Sequence, residues 1–139
     1  VSLEQLFCES DVITFHTPAT ESSFHMVNAE SLKMMKDGVV IINTARGSII
    51  DTPAFLDALE SGKVGAAALD VIENELGIFY GDYKYQNIAH REMSILKDLP
   101  NVLMLPHMAF YTENAISDMV EHSILSILHN NGNIIPGKQ

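Results

Sequence analysis

Four apolar segments of the chain each end on a side chain of a type that transfers protons or binds anions. The segments are DVITFH, VVIINTAR, AAALD and VLMLPH, and they end on His16, Arg46, Asp70 and His107. Short aliphatic and β-branched runs between helical stretches are typical of parallel strands buried on both faces. In open α/β sheets the ligand binds at the carboxyl ends of such strands. The repetition therefore predicts one functional rim, which would be half of an active site.

The stretches between these strands carry helix signals. Ser2 is a predicted N-cap, Asn28 caps a second helix that closes at Gly38, and Thr52 caps a third that ends before Gly62. Strands that alternate with helices are joined by right-handed crossovers into a single parallel sheet. The fold class predicted from the pattern is therefore α/β.

The second half of the chain is less regular. Residues 72–100 predict a long polar connection with one short helix near 90–96, and a connection of this length is usually functional or packs on a partner. Thr112 begins a long amphipathic helix, and residues 131–139 predict a flexible tail. The glycines form no GxGxxG phosphate-binding loop, so composition alone names no cofactor.

Composition narrows the class of protein. The 139 residues fit one domain, and the net charge of −10 argues against nucleic-acid binding, which needs a basic surface. The apolar runs are too short to cross a membrane, which takes about 20 residues, and the N-terminus lacks the pattern of a signal peptide. The single cysteine, Cys8, cannot form an internal disulfide. These features predict a cytoplasmic globular protein.

Three longer segments resemble the D-isomer-specific 2-hydroxyacid dehydrogenase family, and its D-lactate dehydrogenase branch most of all. They are SDVITFHTPATESSFHMVN, GVVIINTARGSIIDTPAFLDALESGKVGAAALDV and NVLMLPHMAFYT. The resemblance implies an NAD-dependent enzyme with two Rossmann-like domains. Residues 1–130 would be the C-terminal half of the NAD-binding domain with a long C-terminal helix. The substrate domain and the GxGxxG half would be absent.

The resemblance implies three catalytic residues. His107 corresponds to the general acid that protonates the substrate carbonyl, a role that suits imidazole because it changes charge near neutral pH. Glu75 matches the carboxylate that pairs with this histidine. Arg46 matches the arginine that binds the substrate carboxylate through a planar guanidinium.

Further residues match the part of the family that contacts the cofactor. Asp70 corresponds to a residue near the nicotinamide, and the cofactor cleft would be lined by the strand-end residues His16, Pro18, Thr44, Ala45 and Arg46. No metal site is expected, because the histidines show no HExxH or similar spacing.

Each assignment has a structural alternative. A histidine or arginine after a strand can be an ordinary loop residue, and Asp70 and Glu75 could be solvated loop charges in so acidic a chain. The remaining histidines match no part of the motif, and surface or helix-face positions suffice for them. These are His25, His90, His122 and His129.

The segment ENELGIFYGDYKYQ favours pyruvate as the substrate, with D-lactate as the product, and longer 2-oxo acids of the D-2-hydroxyisocaproate type are the alternative. The resemblance also implies a homodimer. The isolated chain is predicted to be inactive, because most of the cofactor site would be missing. A non-catalytic binding or dimerisation remnant is the second hypothesis, and an NAD-sensing corepressor relative is the least favoured.

Overall fold

A computed structural model of the chain describes residues 1–79, 81–85 and 88–130. The chain divides into two compact units, residues 1–107 and a second unit that begins at Met108. The predicted flexible tail, 131–139, lies outside the described residues. The helices are α1 Leu3–Glu9, α2 Ala29–Met34, α3 Thr52–Glu60, α4 Arg91–Asp98 and α5 Glu113–Asn130, with a 3-10 helix at Gly47–Ile49, and the strands are β1 Val12–Phe15, β2 Val39–Asn43, β3 Val64–Leu69 and β4 Val102–Met104.

The strands of the first unit form one parallel sheet in the order β1-β2-β3-β4, which confirms the predicted α/β fold. Consecutive strands are neighbours, and helices connect them, as right-handed βαβ units require. The run Val39–Asn43 within VVIINTAR predicts the second strand, and β2 has these bounds because the aliphatic run is uninterrupted.

The core of this unit lies between the sheet and its helices. Ile41 in β2 and Phe55 in α3 are among the side chains that are fully buried there. The outer strands differ from the prediction of burial on both faces, since Val12 in β1 and Leu103 in β4 are more than half exposed. The helices between strands cover one face of these outer strands, and alternate side chains point to the other.

Helix α2 starts where the sequence predicts and ends earlier. The Asn28 side chain accepts hydrogen bonds from the N–H groups of Glu30 and Ser31, as a cap does. The helix ends at Met34, so the prediction that Gly38 closes it is wrong. Gly38 instead lies in the turn into β2 with a φ of 79°.

Helix α3 is capped one residue earlier than predicted. Asp51 is the N-cap, and its side chain accepts from the Ala54 N–H. Thr52 is therefore the first helical residue, and its hydroxyl donates to Glu73 at 3.0 Å. Gly62 follows the helix with a φ of 78°, as predicted for a residue just past a C-terminus.

The long connection contains turns and one helix, α4, which confirms the short helix predicted near 90–96. His90 caps α4, because its Nδ1 accepts from the Met93 N–H at 3.2 Å. In the second unit, α5 confirms the predicted long helix, and the Thr112 hydroxyl accepts from the Ala115 N–H at its start. None of the helices within the described ranges has the length and apolar composition that crossing a membrane requires.

Candidate active site

The four strands end level with one another. Phe15 pairs with Asn43, Asn43 with Leu69, and Leu69 with Met104, and each of these is the last residue of its strand. The segments that follow the strands therefore leave the sheet at one edge. This edge is the predicted rim, where parallel sheets bind their ligands.

His107 and Glu75 form a hydrogen-bonded pair at the rim. Nδ1 of His107 lies 2.6 Å from Oε1 of Glu75, and the side chains are 29% and 17% exposed. The other carboxylate oxygen accepts from the Ile72 N–H at 2.8 Å, and the His107 N–H donates to the Asp70 carbonyl at 2.8 Å. A carboxylate on one ring nitrogen fixes the orientation of an imidazole. Because Glu75 holds Nδ1, Nε2 is the ring nitrogen through which a proton could be exchanged with a ligand.

Arg46 lies in a loop that the side chain of Asn43 shapes. Asn43 is fully buried, its Oδ1 accepts from the Ala45 N–H at 3.0 Å, and its Nδ2 donates to the Arg46 carbonyl at 2.9 Å. The exposed Arg46 side chain turns back so that Nη1 donates to the Ala45 carbonyl at 2.7 Å. Five donors in a planar fork make this guanidinium suited to a carboxylate ligand. Sequence reasoning missed Asn43, although a polar residue at an inward position of β2 was a usable signal.

The loop of Arg46 and the segment of Glu75 touch through their backbones at Gly47. A Cβ atom placed on Gly47 would lie 2.0 Å from the carbonyl carbon of Ile72 and 2.5 Å from the Glu73 nitrogen. Only glycine fits at such a distance, because real Cβ atoms do not approach backbone this closely. Gly47 therefore fixes the two rim segments against each other, and sequence reasoning did not single it out.

The remaining predicted residues lie on the same edge. His16 is exposed after β1, and its Nε2 lies 2.9 Å from the Thr14 hydroxyl of its own strand. Pro18 and Thr44 are exposed, Ala45 is buried, and Asp70 is 2% exposed. The structure thus brings His107 to Glu75 and to the Asp70 backbone, while His16 stands at the far end of the strand order.

This set of groups fits one end of a dinucleotide. The exposed Thr44 hydroxyl is a donor and acceptor of the kind that a nicotinamide amide or a ribose needs, whereas the Asp70 side chain is buried behind the rim. Phosphates need a glycine-rich loop that opens a helix, and the sequence has none. The residues present therefore suit the nicotinamide end of the cofactor.

A second pair, His25 and Glu73, lies beside the first. Nε2 of His25 is 2.6 Å from Oε1 of Glu73, while Oε2 accepts from the Thr52 N–H at 3.1 Å and from its hydroxyl. Burial raises the pKa of the Glu73 carboxyl, but the hydrogen bonds from His25 and Thr52 outweigh it and hold the pKa below its usual value.

The His90 ring also reaches this pair, since Nε2 lies 2.9 Å from the Glu73 carbonyl oxygen. His25 and His90 thus make specific side-chain contacts, which the expectation of surface or helix-face positions did not include. Local pattern could not reveal these contacts, because His25 and Glu73 are 48 positions apart. Across the described ranges, no three metal-binding side chains converge as a metal site would require.

Comparison with known proteins identifies the family of the chain. Residues 1–109 match the family model described as D-isomer specific 2-hydroxyacid dehydrogenase, NAD binding domain. The chain therefore belongs to the D-isomer specific 2-hydroxyacid dehydrogenase family, whose cofactor is NAD.

Individual relatives cover most of this chain. An aromatic 2-oxoacid reductase of Clostridium sporogenes is 43% identical over 126 residues, which are 91% of the chain and 38% of the reductase. A D-lactate dehydrogenase of Treponema pallidum has a crystal structure with a TM-score of 0.87 and 43% identity, matched over 91% of this chain and 38% of that one. A structure of the Aquifex aeolicus D-lactate dehydrogenase with NAD and lactic acid has a TM-score of 0.80 and 34% identity, over all of this chain and 45% of that one. The chain thus spans well under half the length of these relatives.

Proposed function

We propose that this chain provides the catalytic and nicotinamide-binding part of an NAD-dependent D-2-hydroxyacid dehydrogenase that reduces pyruvate to D-lactate. The His107–Glu75 pair at the rim is the observation that carries the proposal, because a 2.6 Å contact with a carboxylate prepares an imidazole to deliver a proton. Membership of the family supplies the reaction class, and Arg46, which follows β2 at the same edge of the sheet, is proposed to bind the substrate carboxylate.

The proposed chemistry divides the work between two ends of the substrate. Arg46 binds the carboxylate through parallel N–H donors, which orients the 2-oxo group towards the rim. NADH, when bound, supplies the hydride that reduces the carbonyl carbon. His107 donates the proton on Nε2 to the carbonyl oxygen, so the carbonyl becomes a hydroxyl.

Glu75 keeps His107 ready for this transfer. The carboxylate holds Nδ1, so the ring cannot rotate its proton-bearing Nε2 away from the substrate. Its negative charge also balances the imidazolium before the proton leaves. The neutral imidazole regains a proton from solvent at the end of the cycle.

The side chain of the substrate is the finer part of the proposal. The likeness of the segment ENELGIFYGDYKYQ to D-lactate dehydrogenases favours pyruvate. The alternative is a longer 2-oxo acid, as used by D-2-hydroxyisocaproate-type enzymes, and the Clostridium relative carries the name of an aromatic 2-oxoacid reductase. NADH consumption by the full-length gene product should show the highest kcat/KM with pyruvate, followed by 4-methyl-2-oxopentanoate and then phenylpyruvate. A preference for phenylpyruvate would overturn the D-lactate assignment.

We expect the isolated chain of 139 residues to have no dehydrogenase activity, because it holds only one end of a dinucleotide site. The complete enzyme is proposed to be a cytoplasmic homodimer.

The intact mass of the native polypeptide tests whether this chain belongs to a complete dehydrogenase. A mass more than double 15.3 kDa would agree with a complete dehydrogenase, whereas a product near that mass would favour the non-catalytic binding or dimerisation module.

A further inference from the structure

Glu73 is held from three separate parts of the chain. Its carboxylate contacts Nε2 of His25, in the loop after β1, and accepts two hydrogen bonds from Thr52 at the start of α3. Its carbonyl oxygen lies 2.9 Å from Nε2 of His90, the cap of α4. The Glu73 side chain is only 18% exposed, so these contacts are shielded from water.

Backbone strain is concentrated around the same residue. Among the described residues, the non-glycine residues with positive φ are His25 at 48°, Asn74 at 56° and His107 at 54°. His25 contacts Glu73, Asn74 joins Glu73 to Glu75, and His107 contacts Glu75. Such conformations persist where the surroundings hold them, and they cluster at functional sites.

The segment that carries Glu75 is held on both sides, and it is more deeply buried before Glu75 than after it. Before Glu75, residues Asp70 to Ile72 are buried and Glu73 is anchored as described. After it, Leu76 is 96% exposed, and the Ile78 N–H donates to the Glu75 carbonyl at 2.9 Å. The anchor at Glu73 lies two residues before the Glu75 carboxylate and therefore acts on its direction towards His107 together with these bonds.

We propose that Glu73, held by His25 and Thr52, is a positioning residue that sets the Glu75 carboxylate against His107. This inference rests on the proposed function, since it assigns a role in the proton transfer by His107. Catalytic groups work within about 0.5 Å of their productive positions, and roughly 1 Å of displacement can reduce a rate about 100-fold. The contacts of Glu73 with His25, Thr52 and His90 fix the backbone two residues before Glu75, and this limits how far the Glu75 carboxylate can move.

The test compares variants of the full-length gene product in pyruvate reduction. Glu73→Met removes the carboxylate that contacts His25 and Thr52 and keeps the carbonyl that faces His90, and we expect kcat to fall roughly 10- to 100-fold. Thr52→Val removes one bond and should lower kcat less, while Thr52→Ser keeps the hydroxyl and should restore it. The KM for NADH should stay unchanged, because the network bears on Glu75 and not on the cofactor segments 16–18 and 44–46.

Glu30→Met is the matched control. It breaks an exposed ion pair with Lys33 on α2, at 2.7 Å, and should leave kcat unchanged. Circular dichroism at the assay temperature establishes that each variant is folded. If Glu73→Met does not fold, the kcat values of Thr52→Val and Thr52→Ser are compared instead. Equal kcat values in these two variants would overturn the positioning role.

A purely structural role would lower the melting temperature and leave the kcat of the folded enzyme unchanged, and that result would overturn the inference. The proposed function fails separately, namely if the wild-type protein consumes no NADH with any 2-oxo acid. Loss of activity in His107→Asn together with full activity in Glu73→Met would refute the positioning role alone.

Discussion

His107–Glu75 and His25–Glu73 are pairs of the same length in different surroundings. In each, a ring nitrogen lies 2.6 Å from a carboxylate oxygen. Their exposures are nearly equal, at 29% and 17% in the first pair and 30% and 18% in the second. The length and the burial of such a pair therefore do not distinguish a catalytic role from a structural one.

The difference lies in what else binds each carboxylate and where the pair stands on the sheet. Among the described residues, the further bond to the Glu75 carboxylate comes from its own turn, from the Ile72 N–H, and His107 follows a strand at the rim. Glu73 accepts two bonds from Thr52, which lies 21 positions away. The first pair follows the strand ends where we propose that the substrate binds, and the second joins segments that are distant in sequence.

Replacing the two histidines by asparagine tests this division most strongly. Asparagine tolerates positive φ, so it leaves the backbone of both sites in place. We expect His107→Asn to lower kcat for pyruvate reduction roughly 10²- to 10⁴-fold, the contribution of a general acid. His25→Asn should lower it by about tenfold or less, because it removes one bond of a positioning network. Steady-state kinetics of the full-length protein measures both, and equal losses would contradict the division.

Arg46 offers a second test of the difference between the two pairs. A substrate that binds beside His107–Glu75 needs a cation for its carboxylate, whereas a structural pair such as His25–Glu73 does not. Arg46→Gln should lower kcat/KM for pyruvate roughly 10- to 150-fold, which corresponds to losing about 1.5–3 kcal/mol of charged hydrogen bonding. Arg91→Gln, at an exposed position on α4, is the matched control and should change neither constant. An unchanged kcat/KM in Arg46→Gln would remove the proposed carboxylate site.

The sequence predicts the rim better than it predicts the network behind it. The strand ends at His16, Arg46, Asp70 and His107 follow from apolar runs that are local and uninterrupted. Thr52 shows where local reasoning fails. A threonine before a proline has the form of an N-cap, yet Asp51 caps the helix and the Thr52 hydroxyl donates to Glu73.

The contacts of Glu73 are long-range, and no periodicity encodes them. His25 matches no part of the family motif, so the sequence predicts only a surface or helix-face position for it. Its partner becomes visible only when the Val27–Ile50 bridge brings the loop after β1 beside the start of α3. The residues that we propose for the chemistry could thus be named from the sequence, whereas the long-range contacts of Glu73 could not.

Gly47 offers a way to disturb both pairs at once, since its neighbour across the contact is the Ile72–Glu73 peptide. Gly47→Ala would force this backbone to move. It should lower the free energy of unfolding by more than about 2 kcal/mol, which is the upper cost of placing one alanine at a positive φ without a clash. Gly62→Ala is the matched control, because it has open space and only a positive φ, with an expected cost of about 1–2 kcal/mol. Denaturant unfolding of the full-length protein compares them. Equal costs would mean that the contact at Gly47 relaxes easily and does not fix the two segments.

The smallest expected effect concerns the pH dependence of stability. Burial raises the pKa of the Glu73 carboxyl, and the stronger effect of the bonds from His25 and Thr52 holds it below its usual value in the folded protein. A carboxyl with a lowered pKa stabilises the fold above its unfolded-state pKa, and this contribution is lost as the pH falls through the folded-state pKa. Between about pH 6 and pH 3 the wild type should therefore lose more free energy of unfolding than Glu73→Gln.

Asp37 provides the control for this last measurement. A hydrogen bond and the charge of Lys63 lower the pKa of the Asp37 carboxyl, but this side chain is 91% exposed. Salt screens such a pair strongly, so the pH dependence that Asp37→Asn removes should disappear in about 1 M salt. The Glu73 contribution depends on shielded hydrogen bonds and should persist there. If salt abolished the pH-dependent contributions of both Asp37 and Glu73, Glu73 would behave as a surface charge. The His25–Glu73 pair could then not be what holds the His107–Glu75 pair in place.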